Sequence, residues 1–409
     1  MKQGKTKERE EQKILRNPQQ GEASAFYWAC RNGNIELVKE LVTSISYENL
    51  NRLEPNGSTA LHAATFYGQA DIVHLLLHER GCRRDLLNLH GLTAYEEATS
   101  DKIRQLFHRP NNVNRFCDES DEAINMFEVS RNEDADSDKD IVCDNWVYSS
   151  ADAKKIAGTK EWNSAFKTLY QSKVGRKFDE KFGYIVAGED DIINHLTGTV
   201  REHLLLKPHR QFEKCMNLLA LAAEEHKPEP LLRLYTLETP FYRALNKGDA
   251  RHLQNALYRS LDKLKPRYFQ GTSYRGVKMT KNDLRVYRWA SKKHGTIWTR
   301  TFSSTSLERS VAEQFAGTTS SADKRQSVLM IFRFPEKCDT AINLGKLSPD
   351  LPCISEYENE AEVLLLPFTY FTLSEVKTES QPMIIYLENA PVKNSWLAVL
   401  KNWGPGAHS

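Results

Sequence analysis

Long apolar runs, paired cysteines and an excess of either charge are all missing from this 409-residue sequence. No window approaches the roughly 18 apolar residues of a membrane span. The opening MKQGKTKEREEQKILRNPQQ has no apolar core of the kind a secretory signal needs. The expectation is a soluble chain of the cytoplasm or nucleus with no membrane partner. Seven cysteines, at positions 30, 82, 117, 143, 215, 338 and 353, are odd in number, scattered and never spaced as CxxC. That suggests neither a disulfide framework nor a zinc site, and the expectation is reduced packing residues with no metal. Lys and Arg total 56 against 54 for Asp and Glu, a net charge of +2, so nothing draws the whole chain toward nucleic acid. Any partner has to be recognised locally.

What is present is enough length for two or three domains, each with its own core. Residues 1–20 are charged and polar without periodicity and read as a disordered tail. A second such stretch, Cys117 to Asp140, holds ten acidic residues against one Arg and one Lys, and marks an acidic linker over 111–145. Between them FYWACRNGNIELVKELV aligns with LHAATFYGQADIVHLLL at an offset of 35 residues, pairing Gly33 with Gly68, Leu37 with Ile72 and Leu41 with Leu76. A shorter third copy surrounds Gly91. A period near 33 residues, a TALH helix start and a mid-repeat glycine resemble ankyrin repeats over 21–110, with Phe26, Tyr27 and Trp28 suiting a terminal cap. The resemblance implies a protein partner for this segment, or simple packing on the rest of the chain.

Residues 146–228 are helix-like, with apolar residues three and four apart in KEWNSAFKTLYQSKV and KCMNLLALAAEEH. Past Leu231 the pattern changes to strands: YFQGTSYRGV, IWTRTFSST, SVLMIFRF, EVLLLPFTYFTL and PMIIYL. A helical lead-in followed by a β-rich core over 229–395 argues for an α+β fold.

Three polar groups lie where these strands end. Arg275 stands before Gly276, a residue that admits close backbone approach, and its guanidinium suits a phosphate or carboxylate. Thr305 and Glu308 read as a capping box that starts a helix at Ser306, leaving the Ser304 hydroxyl free at a strand-to-helix junction. Leu307, Val311, Ala312 and Phe315 fall on one face of that helix. Four glutamates, at 356, 358, 360 and 362, precede the apolar VLLLP. Strand alternation puts Glu360 and Glu362 on one face, where two carboxylates repel and one has reason to shift its pKa. Glu356 and Glu358 read as surface acids.

In that order, SYRGV, FSSTS with AEQF, and ENEAEVLLLP resemble the R-S-E class of mono-ADP-ribosyltransferases, in its arginine-modifying branch. The likeness spans roughly Leu231 to Leu387. It implies a split β-sheet core and NAD as co-substrate, with NADP left open and no prosthetic group. It further implies acceptor proteins that carry arginine. It assigns Glu362 to the ribosyl cation and ribose hydroxyl, and Ser304 to positioning. Arg275, Gly276 and Phe315 fall to the dinucleotide, and Glu360 with Tyr357 to the acceptor arginine. The insert INLGKLSPDLPC before ISEY is longer than a minimal turn requires. Two competing readings stand beside it, an NAD glycohydrolase with water as acceptor and a non-catalytic interaction protein with a relic NAD fold.

Overall fold

A computed structural model describes residues 23–109, 147–148, 189–205, 209–237, 239 and most of 250–390. The tail over 1–20, the acidic run 117–140 and the helix expected from KEWNSAFKTLYQSKV fall outside those residues.

The first block is a stack of short helices. Helices α1 (Ala25–Asn32) and α2 (Ile35–Val42) form one repeat, with Ser24 and Asn34 accepting from the backbone N–H groups of Tyr27 and Leu37. After α3 (Tyr47–Leu50), helices α4 (Ala60–Phe66) and α5 (Ala70–His74) form the next repeat, and α5 runs into a π-helical turn, Leu75–Glu79. Gly33 and Gly68 both take positive φ, 76° and 72°, the left-handed turn between paired helices that favours glycine at this spacing. The TALH start is a capping box in which Thr59 and His62 exchange hydrogen bonds. His62 Nε2 also lies 3.1 Å from Leu92 O in the next copy, and burial lowers its pKa to about 4, so it stays neutral. The third copy keeps only turns and α6 (Asp101–Gln105), as a truncated repeat should. Phe26, Ala29, Val38, Leu61, Ala64, Val73 and Phe107 share its core. Leu37, paired with Ile72 by the offset, is 36 % exposed on the end repeat.

The second block begins with a two-residue strand, β1 (Val147–Tyr148), where a helix was expected. Helices α7 (Glu189–Leu204), α8 (Phe212–Glu225), α9 (Glu229–Thr236) and α10 (Ala250–Arg259) follow, then a 3-10 segment, Leu261–Arg267. The strands are β2 (Tyr268–Met279), β3 (Thr296–Trp298), β4 (Ser303–Ser306), β5 (Gln326–Asn343), β6 (Glu362–Leu365), β7 (Tyr370–Lys377) and β8 (Met383–Asn389). Helix α11 (Arg309–Ala316) lies between β4 and β5. Among the described residues eight strands form one sheet in the order β1-β3-β7-β8-β5-β2-β4-β6. The 18-residue β5 also pairs with β6 through Ala341, Ile342 and Asn343, so β5, β2, β4 and β6 close on themselves. One apolar cluster joins α7 to α10 with Phe302, Ile342 and Leu364, and another fills the sheet through Val328, Met330, Phe332, Val363 and Leu387. The chain is thus an all-α ankyrin segment ahead of an α+β unit, as the sequence argued.

Cys30, Cys82, Cys215, Cys338 and Cys353 are buried thiols, none of them in a disulfide. Among the described residues no helix is long and apolar enough to cross a membrane.

Candidate active site

The register of the closed strands brings the three motifs together. Tyr274 on β2 faces Ser306 on β4, and Ser306 in turn faces Glu362 on β6. Above them opens a small cavity lined by Tyr274, Arg275, Gly276, Ser304, Thr305, Ser306, Val311, Ala312, Phe315, Glu360 and Glu362. Six of the site residues expected from sequence therefore share one cavity. Phe315 serves two ends, since it is only half-buried on α11 and reaches the opening. Tyr357 lies beside the cavity rather than in its lining and is buried.

Several local expectations give way. Thr305 and Glu308 make no capping box: Thr305 sits inside β4 and its Oγ1 donates to Val363 O at 2.8 Å. The helix starts at Arg309, not Ser306, and Glu308 occupies its N-cap with no side-chain cap bond. Ser306 holds the junction instead, donating to Glu360 O at 2.6 Å and accepting from the Glu308 N–H at 2.9 Å. Pairing to β6 outcompetes the local cap because it satisfies a whole strand's backbone. Ser304 accordingly lies within β4 and not at its end. Its hydroxyl is buried and has no hydrogen-bond partner among the described residues. A buried hydroxyl without a partner costs free energy unless a ligand or water meets it, so this one points to an occupant of the cavity.

Gly276 approaches protein backbone rather than open space. A Cβ there would lie 1.8 Å from Ala312 O and 2.5 Å from Ala316 N, so glycine at this point is what lets α11 lie against β2. Arg275 is 2 % exposed, and its Nη1 donates to Ser304 O at 2.8 Å. That bond ties β2 to β4 and sets the height of Ser304 in the cavity.

Glu360 and Glu362 do not share a strand face. Glu358–Glu360 is a 3-10 turn, Ala361 takes φ 44°, and β6 starts only at Glu362. The left-handed step at Ala361, not strand alternation, turns both carboxylates toward the cavity. Glu362 is 2 % exposed and its Oε2 accepts from the Ser355 hydroxyl at 2.8 Å. Glu360 accepts from Arg109 Nε at 2.7 Å and from Arg109 Nη2 at 3.0 Å. Ser355, Ser306 and Arg109 had no signal in spacing or periodicity, because each reaches the acids through tertiary contact.

Glu356 and Glu358 are not surface acids. Glu356 is 3 % exposed, with Lys214 Nζ 2.5 Å and Arg84 Nε 3.1 Å from Oε1, and Arg233 Nη1 3.6 Å from Oε2. Burial works against its charge, and the three cations outweigh that and hold its pKa below the ordinary carboxylate range. Glu358 goes the other way: burial pushes it up to about 7, with Glu96 of the repeats adding repulsion and a Thr93 hydrogen bond opposing. Because its folded pKa exceeds the ordinary 4.5, the fold keeps its proton where the unfolded chain has lost it. Its contribution is therefore complete below about pH 4.5 and is lost as pH rises toward 7. The expected outcome is that Glu358→Gln raises the melting temperature relative to the parent at pH 8 but not at pH 4.5. The difference is worth at most about 3 kcal/mol. Parallel melting curves of the two proteins across pH would count against it.

A family model described as Ankyrin repeats (3 copies) matches residues 9–88. No curated protein matches. Among solved structures, Vis toxin, an ADP-ribosyltransferase from Vibrio splendidus, is 16% identical over 61% of this chain and 90% of its own, with a TM-score of 0.27. The type III effector XopAI from Xanthomonas axonopodis pv. citri is 15% identical over 58% of this chain and 99% of its own, at 0.34. Exoenzyme S from Pseudomonas aeruginosa, solved with human 14-3-3 protein beta and carba-NAD, is 15% identical over 53% of this chain and 98% of its own, at 0.31. At such TM-scores the functional reading rests on the cavity and its residues alone.

Proposed function

We propose that this protein is a mono-ADP-ribosyltransferase that moves ADP-ribose from NAD to arginine side chains of acceptor proteins and releases nicotinamide. The observation that carries the reading is the cavity in which Arg275, the Ser304 hydroxyl that has no partner among the described residues, Glu360 and Glu362 meet from segments far apart in sequence. The Ser304 hydroxyl, buried without a partner among the described residues, and the Glu362 carboxylate beside it are polar groups that an occupant of the cleft would meet.

In NAD the bond to break joins the ribose anomeric carbon to the nicotinamide nitrogen. That nitrogen is cationic, so the electron pair leaves with a neutral nicotinamide and no general acid is required. What the site must supply is a fixed negative charge beside the oxocarbenium-like ribosyl centre, the role for Glu362. Ser355 sets its carboxylate, and Ser304 supplies a hydroxyl to the ribose side of the cleft. Arg275 acts on the reaction through Ser304, as a positioning residue. Phe315 offers an aromatic face at the opening. An acceptor guanidinium nitrogen then bonds to the anomeric carbon, and its proton passes to Glu360.

The test is to incubate the full chain with labelled NAD and an arginine-rich protein. Label on arginine together with free nicotinamide is the expected result, and neither appearing would rule the reading out. Glu360→Gln should lose transfer by about 10²–10⁴-fold while retaining NAD hydrolysis, since it removes the base and not the charge beside the ribosyl centre. Full transfer by that variant would refute the division of roles between the two acids. Hydrolysis of NAD by water is the second reading. It is favoured by one feature, the engagement of Glu360 by Arg109; release of nicotinamide without label on protein would establish it.

A further inference from the structure

The arginine that engages Glu360 belongs to the ankyrin segment, 251 residues away in sequence. Its Nε and Nη2 meet the two carboxylate oxygens in the parallel fork that guanidinium and carboxylate form best. Its guanidinium carbon lies 3.9 Å from the centroid of the Tyr357 ring, and the two charged side chains are only 5 % and 8 % exposed. A carboxylate fork on one side and an aromatic face on another is a seat built for a guanidinium. We propose that Glu360 and Tyr357 form the acceptor subsite and that the chain fills it with Arg109, so that an incoming arginine has to displace the protein's own.

The proposal rests on the transferase reading above and goes beyond it in naming the occupant and the effect of its tether. The repeats hold Arg109 in place through neighbouring contacts: Arg84 lies 5.1 Å over the same Tyr357 ring and donates to Phe107 O, two residues before Arg109. A ligand delivered by its own chain competes at an effective concentration of the order of millimolar, which a free acceptor meets only at high concentration or after the repeats shift. Cleavage of NAD needs Glu362, Ser304 and Arg275, which are held by Ser355 and by the β2–β4 contact rather than by the fork on Glu360, so hydrolysis continues while the acceptor seat is filled. An ordinary interdomain ion pair predicts something different: its loss would lower stability and leave acceptor kinetics alone.

The experiment compares the full-length protein with Arg109→Gln and Arg109→Lys, measuring nicotinamide release from NAD and ADP-ribosylation of agmatine, a free guanidine, over a range of agmatine concentrations. The expected result is that Arg109→Gln lowers the KM for agmatine tenfold or more while NAD hydrolysis without acceptor changes by less than about twofold, with Arg109→Lys in between because it keeps the charge but not the fork. If Arg109→Gln does not fold, as circular dichroism would show, the charge-retaining Arg109→Lys decides by the same comparison. An agmatine KM equal to the parent's in the folded variants, with nicotinamide released by all, overturns the seating and leaves the transferase reading intact. Failure of the underlying reading looks different: no protein of the three releases nicotinamide or labels agmatine, and both proposals then fall.

Discussion

Replacing Glu362 by Gln is expected to lower nicotinamide release and ADP-ribose transfer together, by about 10²–10³-fold, the usual cost of removing one fixed electrostatic group from a site where charge develops. The substitution changes little else. Glutamine has the same length, its amide oxygen can accept the hydrogen bond that Ser355 donates to Oε2, and the 2 % exposed position keeps its packing. What disappears is the negative charge, in a site where little water is present to screen it and where the ribosyl centre turns cationic as nicotinamide departs. Glu362→Asp should lose activity as well, because it keeps the charge but draws it back by one methylene from the reacting carbon. The two readouts separate this acid from its neighbour: Glu362→Gln removes bond cleavage and therefore every later step, whereas Glu360→Gln spares cleavage. A Glu362→Gln protein that still released nicotinamide at the parent's rate would show that another group stabilises the cation. An unchanged melting temperature in the same variant is part of the expectation, and separates chemistry from folding.

Much of this arrangement is legible in the sequence. The 35-residue offset locates paired helices because glycine at Gly33 and Gly68 is needed for one backbone conformation that few other residues accept. The segments rich in Ile, Val, Phe and Thr are strands, and the order Arg275, Ser304, Glu360, Glu362 names residues that do line one cavity. The failures share a cause. Thr305 and Glu308 satisfy the local rule for a cap, but the backbone of Ser303–Ser306 is claimed by β6, and a ladder of backbone bonds outweighs one side-chain cap. Glu360 and Glu362 satisfy the local rule for one strand face, but the chain turns at Ala361 before the strand begins. Glu356 and Glu358 read as exposed because acids usually are, and nothing near them in sequence carries the compensating charges. Those charges come from Arg84, Lys214 and Arg233 for one acid, while the other is met by a hydrogen bond from Thr93. Single cations among 56 have no pattern to read; their function is created by the fold that brings them together. Sequence therefore names residues that line the cavity and misses those that hold the repeats onto it.

That coupling gives the largest expected effect on stability. Glu356→Gln should destabilise the protein by about 3–5 kcal/mol, the usual cost of removing one partner from a buried ionic group. Glu356 is the point where three parts of the chain converge: Arg84 from the repeats, Lys214 from α8 and Arg233 from α9. Lys214 is fully buried, and Arg84 and Arg233 are 4 % and 5 % exposed, so none can regain water when the carboxylate goes. Backbone carbonyls already take part of their hydrogen bonding: Lys214 donates to Cys82 O, Arg233 to Cys353 O and Ser355 O, and Arg84 to Phe107 O. Those bonds satisfy protons without cancelling charge, and Asp85, which faces Arg233 and Lys214, is then one carboxylate against three cations in a low-dielectric interior. The repeats should then separate from the α+β unit before either core melts, because Arg84 and Arg109 both depend on the turn that Glu356 anchors. Calorimetry or chemical unfolding checks the loss of stability, and the agmatine assay checks the separation, since release of Arg109 should lower the acceptor KM even with Arg109 intact. A Glu356→Gln protein with the parent's melting profile and the parent's acceptor KM would mean that the repeats are held by their apolar contacts and not by this charge cluster.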